Sequence, residues 1–222
     1  MDTRADNMGL SAKTAFICLA LLSIPSLCLA LGSEPELNCE GSCQNGKGTS
    51  YSSAGSFKIY SGRWKDGKMD GDGILYWPSE NNFKKYEGHF KDGQMDGQGV
   101  SYFSDGTKSY SGHWKEGEFE GEGVQYRPNG NMLYDGHVKD GQFDGIGTYY
   151  LEDGQRFSGE WKNGKLNGHG IMYGKNGFKM YEGDFKDDVR HGKGTLFDGQ
   201  GFPTFRGIFK HGKPTKETPL ED

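Results

Sequence analysis

The sequence repeats one short motif, an aromatic residue followed by any residue and then a glycine, seven times. The lead aromatic residues are separated by 26, 24, 24, 23, 24 and 24 positions. A fixed period in this range is typical of stacked repeat proteins, in which each unit packs against its neighbours and no unit folds alone. The lead aromatic residues are Tyr60, Tyr86, Tyr110, Tyr134, Phe157, Tyr181 and Phe205. The spacing therefore predicts a tandem array without a central core.

The composition is consistent with such an array. The 222 residues include 38 glycines, and only 32 % are hydrophobic, which is low for an ordinary globular core. However, 14 % of the residues are aromatic and recur on a strict period, which is not the composition of a disordered chain. We expect the aromatic side chains to pack between neighbouring repeats.

Within one repeat the residue types alternate with a period of two, which is typical of a half-buried strand. In the third copy, Tyr110 and Trp114 fall on one face and His113 falls on the other. After a turn and a Gly-x-Gly segment, Val124 and Tyr126 continue the alternation. Asp-Gly and Asn-Gly pairs at the turns favour tight hairpins. Each repeat is therefore predicted to be a β-hairpin.

The pattern Tyr-x-Gly-x-Trp-x-x-Gly-x-x-x-Gly-x-Gly is complete at residues 60–73 and 110–123. It resembles the MORN (membrane occupation and recognition nexus) repeat, and the resemblance covers about three quarters of the chain. It implies an all-β fold, an elongated single-layer antiparallel sheet of tandem hairpins. About seven copies and a degenerate first half-repeat would occupy residues 46–213, followed by a C-terminal tail at 214–222. Val138 and Asp188 depart from the pattern, and we expect distorted hairpins at these two positions.

The resemblance also implies a non-catalytic interaction or scaffold protein. Near-identical copies leave no unique cleft in which different catalytic residues could converge, so we expect neither enzymatic activity nor a cofactor. The expected partner is a protein that the sequence does not identify, or a second copy of this chain. The net charge of −5 argues against nucleic acid as a ligand.

The charge is unevenly distributed along the array. Residues 60–159 contain 11 basic and 17 acidic residues, whereas residues 160–213 contain 10 basic and 6 acidic residues. This asymmetry is interpreted either as ordinary variation along a solvated surface or as a basis for head-to-tail self-association. An alternative function is peripheral binding of anionic phospholipid, which has long been proposed for MORN repeats. Lysines at the turns would form a basic row, although neighbouring carboxylates reduce its charge.

If the array binds a partner through its aromatic side, the rings that lead the repeats and those four residues later would make the contact. The same rings are equally suited to packing against one another. The candidate binding residues are Tyr60, Trp64, Tyr86, Phe90, Tyr110, Trp114, Trp161, Tyr181 and Phe185.

Three histidines, His89, His113 and His137, occupy the same position in successive copies. Equivalent strands should lie about 9.6 Å apart. Two nitrogen ligands of one zinc ion would lie only roughly 3 to 3.5 Å apart. We therefore predict no metal site. We interpret this column of three histidines as part of a solvated face. The alternative is a pH-sensitive surface.

Residues 1–32 are predicted to be a signal peptide. The segment 14–31 is uncharged, follows Lys13 and ends in small residues. A start at Met8 would give a more typical signal. The chain is therefore expected to be secreted or otherwise extracytoplasmic, with an N-terminal membrane anchor as the alternative. Residues 33–45 are predicted to be a linker, in which Cys39 and Cys43 form a local disulfide.

Overall fold

A computed structural model describes residues 38–53, 55 and 57–217, and every regular element in these ranges is a β-strand. The sixteen strands form one open antiparallel sheet whose spatial order follows the order of the chain. The all-β architecture of tandem hairpins predicted from the sequence is therefore confirmed. The strands are β1 (Asn38–Gly41), β2 (Gly46–Tyr51), β3 (Lys58–Lys65), β4 (Lys68–Tyr76), β5 (Lys84–Lys91), β6 (Gln94–Tyr102), β7 (Lys108–Lys115), β8 (Glu118–Tyr126), β9 (Met132–Lys139), β10 (Gln142–Tyr150), β11 (Arg156–Lys162), β12 (Lys165–Tyr173), β13 (Lys179–Lys186), β14 (Val189–Phe197), β15 (Pro203–Lys210) and β16 (Lys213–Glu217).

Several sequence predictions fall partly or wholly outside the described residues. The predicted signal peptide at 1–32 is one of these, so it stays a prediction. β1 lies inside the segment predicted as a linker, and β16 extends into the predicted C-terminal tail. Within the described part of the chain there is no helix long and apolar enough to cross a membrane.

Seven similar hairpins run from β3–β4 to β15–β16, each closed by a two-residue turn. In the first, Asp66 and Gly67 have φ values of 49° and 74°. Positive φ at both central residues is the conformation that matches the twist of a hairpin, and Asp-Gly adopts it readily. The turn amide also links neighbouring hairpins, because the N–H of Gly93 donates to the carbonyl of Met69 at 2.9 Å.

Asp188 does not distort its hairpin, contrary to the expectation from the sequence. It has a φ of 68°, and Lys186 pairs with Val189 just as the corresponding residues pair in the other hairpins. Aspartate tolerates the left-handed region better than most residues because its short polar side chain can hydrogen-bond locally. Here its carboxylate accepts a hydrogen bond from the amide of Leu166 at 2.8 Å.

The six hairpins from β3–β4 to β13–β14 each contain a bulge beside the Gly-x-Gly segment. In the first hairpin, Gly62 pairs with Gly73 and Trp64 pairs with Met69, so three residues of β4 lie opposite one residue of β3. Gly71, at the centre of this bulge, has a φ of 95°. Bulges bend a strand and increase its local twist.

In most hairpins, a second bulge lies at the start of the first strand. Ser50 pairs with Tyr60 and Tyr51 pairs with Lys58, which leaves Ile59 without a partner. Because one residue is inserted, Lys58 and Tyr60 fall on opposite faces of the sheet although they are two positions apart.

β11 lacks this second bulge. Tyr149 pairs with Phe157 and Tyr150 pairs with Arg156, without a shift in register. The missing residue is consistent with the step of 23 positions between Tyr134 and Phe157.

The buried aromatic side chains lie on the face of the sheet that carries Tyr60, which we call the interior face. The ring of Tyr60 makes edge contacts with Trp64 of its own hairpin at 5.1 Å and with Phe90 of the next hairpin at 5.0 Å between centroids. The same arrangement recurs at Tyr86, between Phe90 and Trp114. The rings of successive hairpins therefore interlock, as expected for an array stabilised by contacts between neighbours.

Val138 replaces one of these rings, yet its hairpin is not distorted either. Gly136 pairs with Gly147 and Val138 pairs with Phe143, in the same register as in the other hairpins. Phe143 stacks on Tyr134 at 3.8 Å with an interplanar angle of 10°. Val138 is 2 % exposed, so the smaller side chain is accommodated within a packed interior.

Candidate binding surface

The nine aromatic residues predicted as a binding face all lie in the interior layer. Their exposed fractions run from 0 % for Tyr60 to 7 % for Trp64. Burial raises the pKa of Tyr60 to about 12. Burial also raises the pKa of Tyr86, Tyr110, Tyr134 and Tyr181. These rings stabilise the array in the free chain, and their contact with a partner stays a prediction.

The opposite face, which we call the outer face, carries a second set of aromatic residues that are only half-buried. They come from the last positions of the even-numbered strands, where alternation continues from an outward-pointing β-branched residue such as Ile74 or Val100. The set is Tyr51, Tyr76, Tyr102, Tyr126, Tyr150, Tyr173 and Phe197.

Basic side chains stand between these aromatic residues. Tyr51 pairs with Lys58, and Tyr76 pairs with Lys84, across adjacent strands. Directly opposite residues of antiparallel strands lie on the same face. The basic members are Lys58, Lys84, Lys108, Arg156 and Lys179. We call this alternation of aromatic and basic residues across the sheet the outer row.

Alternation in the sequence places Tyr126 on a half-buried strand, but it does not identify the basic members of the outer row. Strict alternation back from Tyr60 would place Lys58 on the interior face. The bulge at Ile59 reverses that assignment. The one signal in the sequence is the shorter step before Phe157, where the inserted residue is absent and Arg156 reaches the outer face by simple alternation.

The cations of the outer row differ in their partners. Lys84 Nζ lies 2.7 Å from Glu87, and Lys179 Nζ lies 2.8 Å from Glu182. These hydrogen bonds raise the pKa of both lysines.

The other three cations of the row have no carboxylate partner among the described residues. Lys58 Nζ lies 5.8 Å from the ring centre of Tyr76, and the Arg156 guanidinium lies 4.0 Å from that of Tyr173. Lys108 is exposed. Serines occupy the positions that Glu87 and Glu182 hold in their own repeats, which explains the missing ion pairs.

The histidine column lies on the outer face, as expected from alternation. His89 Nδ1 lies 3.2 Å from Asp72, and His137 Nε2 lies 3.3 Å from Glu122. His113 faces Gln98, at 2.9 Å. Across residues 38–217, apart from the two positions left out, no group of three or more His, Cys, Asp or Glu side chains could hold a metal ion.

A further basic row runs along the hairpin turns. In every hairpin the first strand ends in an exposed lysine immediately before the turn. These lysines are Lys65, Lys91, Lys115, Lys139, Lys162, Lys186 and Lys210. In five of the hairpins an aspartate or glutamate follows directly, which reduces the net charge of this edge.

The predicted disulfide between Cys39 and Cys43 is present in the structure. It ties the end strand β1 to the connection that leads into β2. β1 is also held by a hydrogen bond from the Tyr51 hydroxyl to Glu40 at 2.8 Å. The disulfide therefore fixes one edge of the sheet.

Comparison with known proteins agrees with the repeat geometry. The MORN repeat family model matches residues 60–81, 86–108, 110–132, 134–156, 157–179 and 181–201. Each segment begins at the lead aromatic residue of one of the six hairpins from β3–β4 to β13–β14. A comparison with curated proteins gives no match. The matched segments cover more than half of the chain, which therefore belongs to the MORN-repeat family.

Proposed function

We propose that this chain is a non-catalytic, exported interaction protein that binds a partner protein through the outer face of its sheet. Membership of the MORN-repeat family is consistent with a role in binding or scaffolding, and the family is generally non-catalytic. The observation that carries the proposal is the outer row, which offers half-buried tyrosines and half-buried or exposed cations at regular intervals. Tyrosine and arginine are enriched among the residues that contribute most to protein interfaces.

The form of the surface supports a macromolecular partner. Small-molecule sites are usually concave and enclose most of their ligand. The hollows on the described residues are open to solvent, including one of about 400 Å³ lined by Arg127, Tyr149 and Glu152. A long, regular face is better suited to a partner that makes many equivalent contacts.

Export is supported by two separate features. Residues 14–31 have the composition of a signal peptide. The Cys39–Cys43 bond fits the same compartment, because stable disulfides are rare where thiol reductants are abundant. The partner is therefore sought among extracytoplasmic proteins.

Site-specific photo-crosslinking in the native host tests this function. A photoreactive residue at Lys108, in the outer row, is expected to form a discrete adduct with a partner protein. The matched control is the same residue at Lys162, which is also exposed but lies beside a hairpin turn. Absence of an adduct at Lys108, or identical adducts from both positions, would contradict binding through the outer row.

The same experiment detects self-association. An adduct of two copies of the chain at Lys108 would identify the partner as a second copy. The acidic charge of residues 60–159 and the basic charge of residues 160–213 would favour a head-to-tail arrangement. In that case the adduct should become weaker at high salt, because exposed charges are screened.

A second candidate function is peripheral binding of anionic phospholipid. The observation that favours it is the row of exposed lysines before the hairpin turns. Flotation with vesicles of phosphatidylcholine and phosphatidylserine in equal parts, compared with phosphatidylcholine alone, tests it. Binding to the anionic vesicles that is lost in Lys115→Gln/Lys139→Gln and at high salt would support this function. Equal recovery with both kinds of vesicle would contradict it.

A further inference from the structure

The spacing of the outer row matches one regular backbone conformation. Its aromatic residues stand on every second strand, so neighbours are separated by two strand spacings, or about 9.6 Å. A polyproline II helix has three residues per turn and rises 3.1 Å per residue, which gives about 9.3 Å per turn. An α-helix has a pitch of about 5.4 Å, and an extended strand repeats every two residues, or about 6.7 Å. Of these three conformations, a polyproline II segment gives the closest match and would present one equivalent residue per turn to each ring in succession.

The hydroxyl groups of the row suit the backbone of such a segment. Polyproline II helices make no internal hydrogen bonds, so their carbonyl oxygens need donors from outside. Within the part of the chain that the structure describes, the hydroxyls of Tyr76, Tyr126, Tyr150 and Tyr173 donate to no other residue. These half-buried side chains are therefore available to donate to a ligand that lies across the strands.

The charge of the row indicates what else the segment must carry. The cations without a described carboxylate partner, Lys58, Lys108 and Arg156, lie on β3, β7 and β11. They are separated by four strand spacings, or about 19 Å. Six residues of a polyproline II helix span about 18.6 Å. An acidic residue at every sixth position would therefore meet one cation each time.

Single-stranded nucleic acid fits these observations less well. Proteins that bind it combine a strongly positive groove with aromatic faces on which bases stack. Here the uncompensated cations are about 19 Å apart, whereas a phosphate would need neutralising at each nucleotide.

We propose that the outer row binds an acidic, proline-rich segment of the partner protein in the polyproline II conformation. This inference rests on the proposed function and specifies the partner of the same surface. The segment lies across the strands, with prolines between successive tyrosine rings and acidic residues on Lys58, Lys108 and Arg156. The row from Tyr76 to Tyr173 spans eight strand spacings, or about 38 Å, which corresponds to about twelve residues of ligand.

Fluorescence anisotropy with the full-length chain tests this inference. The probe is a labelled synthetic peptide of three Pro-Pro-Pro-Pro-Pro-Glu hexads. One control peptide replaces the prolines by glycine and serine, and another replaces the glutamates by lysine. We expect the flexible acidic peptide to bind at least about tenfold more weakly, because it must be ordered on binding. The lysine peptide should not bind. Equal binding of the proline and glycine peptides, or none, overturns the inference.

Two conservative variants locate the contact. Lys108→Gln should weaken binding of the acidic proline peptide severalfold, whereas Lys115→Gln, an exposed lysine outside the row, should leave it unchanged. Tyr150→Phe keeps the ring and removes only the hydroxyl, and it should also weaken binding. Circular dichroism checks that each variant keeps its sheet. Equal affinities of the Lys108 and Lys115 variants would overturn the assignment to the outer row.

The outcomes separate this inference from the proposed function. A partner adduct at Lys108 without binding of the proline peptide means that the outer face binds protein by another mode. A polyuronate or a single-stranded oligonucleotide is added as competitor to the labelled peptide. The inference would also be overturned if one of these competitors displaced the labelled peptide and itself bound the protein more tightly than the peptide does. Peptide binding that depends on Lys108 and resists both competitors supports it.

Discussion

The ring of Tyr60 lies against Gly73, so closely that a Cβ atom at residue 73 would overlap it. The hydroxyl group donates to the carbonyl of Arg63 at 3.0 Å. The same relationship holds for Tyr110 and Gly123. Neither glycine has a positive φ, so glycine is needed at these positions for space and not for backbone conformation.

Substitution of Gly123 by alanine is therefore expected to destabilise the array. The added methyl group would force the buried Tyr110 ring to move, and overpacking of this kind typically costs about 1–3 kcal/mol. The midpoint of urea unfolding, followed by circular dichroism, measures the effect. Gly199→Ala is the matched control, because nothing lies within 4 Å of its Cβ position. That variant should change stability by less than about 0.5 kcal/mol. Equal midpoints for the two variants would contradict the packing role.

The buried tyrosines predict loss of stability at alkaline pH. The folded pKa of Tyr60 is about 12, above the value of about 10 for an unfolded chain. Because the folded value is the higher one, stability is complete below about pH 10 and is lost as the pH rises towards about 12. Tyr86, Tyr110, Tyr134 and Tyr181 act in the same direction.

Absorbance titration of tyrosinate measures this effect. The five buried tyrosines should ionise only together with the loss of the β-sheet signal. A control titration in concentrated urea should show all twelve tyrosines ionising together. A single transition near pH 10 in the folded protein would contradict the burial of these rings.

Phe119 supports the hairpin that precedes Val138, the residue that replaces an aromatic ring in the next hairpin. Phe119 stacks on Tyr110 at 3.9 Å, while no ring contact joins Tyr110 to the following hairpin among the described residues. Phe119→Leu should therefore cost about 1 kcal/mol. In a Val138→Phe background, where Tyr110 regains a ring from the next hairpin, the same substitution should cost less. A double-mutant cycle by urea unfolding gives the coupling, and additive effects would contradict this compensation.

The sequence predicts the hairpins well because their signals are local. Alternation around Tyr110 and the Asp-Gly pair at the first turn specify strands and tight turns without information about the rest of the chain. The two departures at Val138 and Asp188 could not be evaluated in the same way. Their effect depends on Phe143, which pairs with Val138 across its hairpin, and on the amide of Leu166 in the hairpin before Asp188. The alternating pattern specifies neither contact.

The faces of the sheet were harder to predict than its strands. The bulge at Ile59 moves Lys58 to the outer face, and the alternating pattern contains no mark of it. The sequence also could not distinguish an aromatic ring that packs from one that binds. Trp64 is buried because the glycines beside it let the Tyr60 ring lie flat on the sheet, a three-dimensional relationship that residue type alone does not reveal.

Substitution of Asp188 is expected to stabilise the protein by an amount that depends on pH. Burial raises the pKa of its carboxyl group, so the ionised form is disfavoured in the folded chain. The stability that Asp188 contributes is therefore complete below the unfolded pKa of about 3.9. It is lost as the pH rises through the higher pKa of the folded chain. Asp188→Asn removes the charge and keeps an acceptor for the amide of Leu166. It should raise stability at pH 7 by less than about 1 kcal/mol.

Thermal unfolding at pH 7 and at pH 3 checks this prediction. The gain from Asp188→Asn should become smaller at pH 3, where the aspartate is protonated. The control is Asp187→Asn in the same turn, where the side chain is exposed and should show little gain. A stabilisation that is independent of pH would point to the backbone conformation and not to the charge.

Removal of the disulfide is expected to act locally. Cys39→Ser/Cys43→Ser opens a small loop, for which loop-closure entropy amounts to about 2 kcal/mol. β1 pairs with no strand other than β2 and is exposed along its length, so few other contacts depend on it. Hydrogen exchange should show faster exchange at residues 38–51 and unchanged protection in β7 and β8, because stability in a repeat array is carried by neighbouring contacts. Reduction of the wild-type protein is the matched control and should give the same pattern. Faster exchange throughout the sheet would mean that the disulfide stabilises the whole array and not only its first edge.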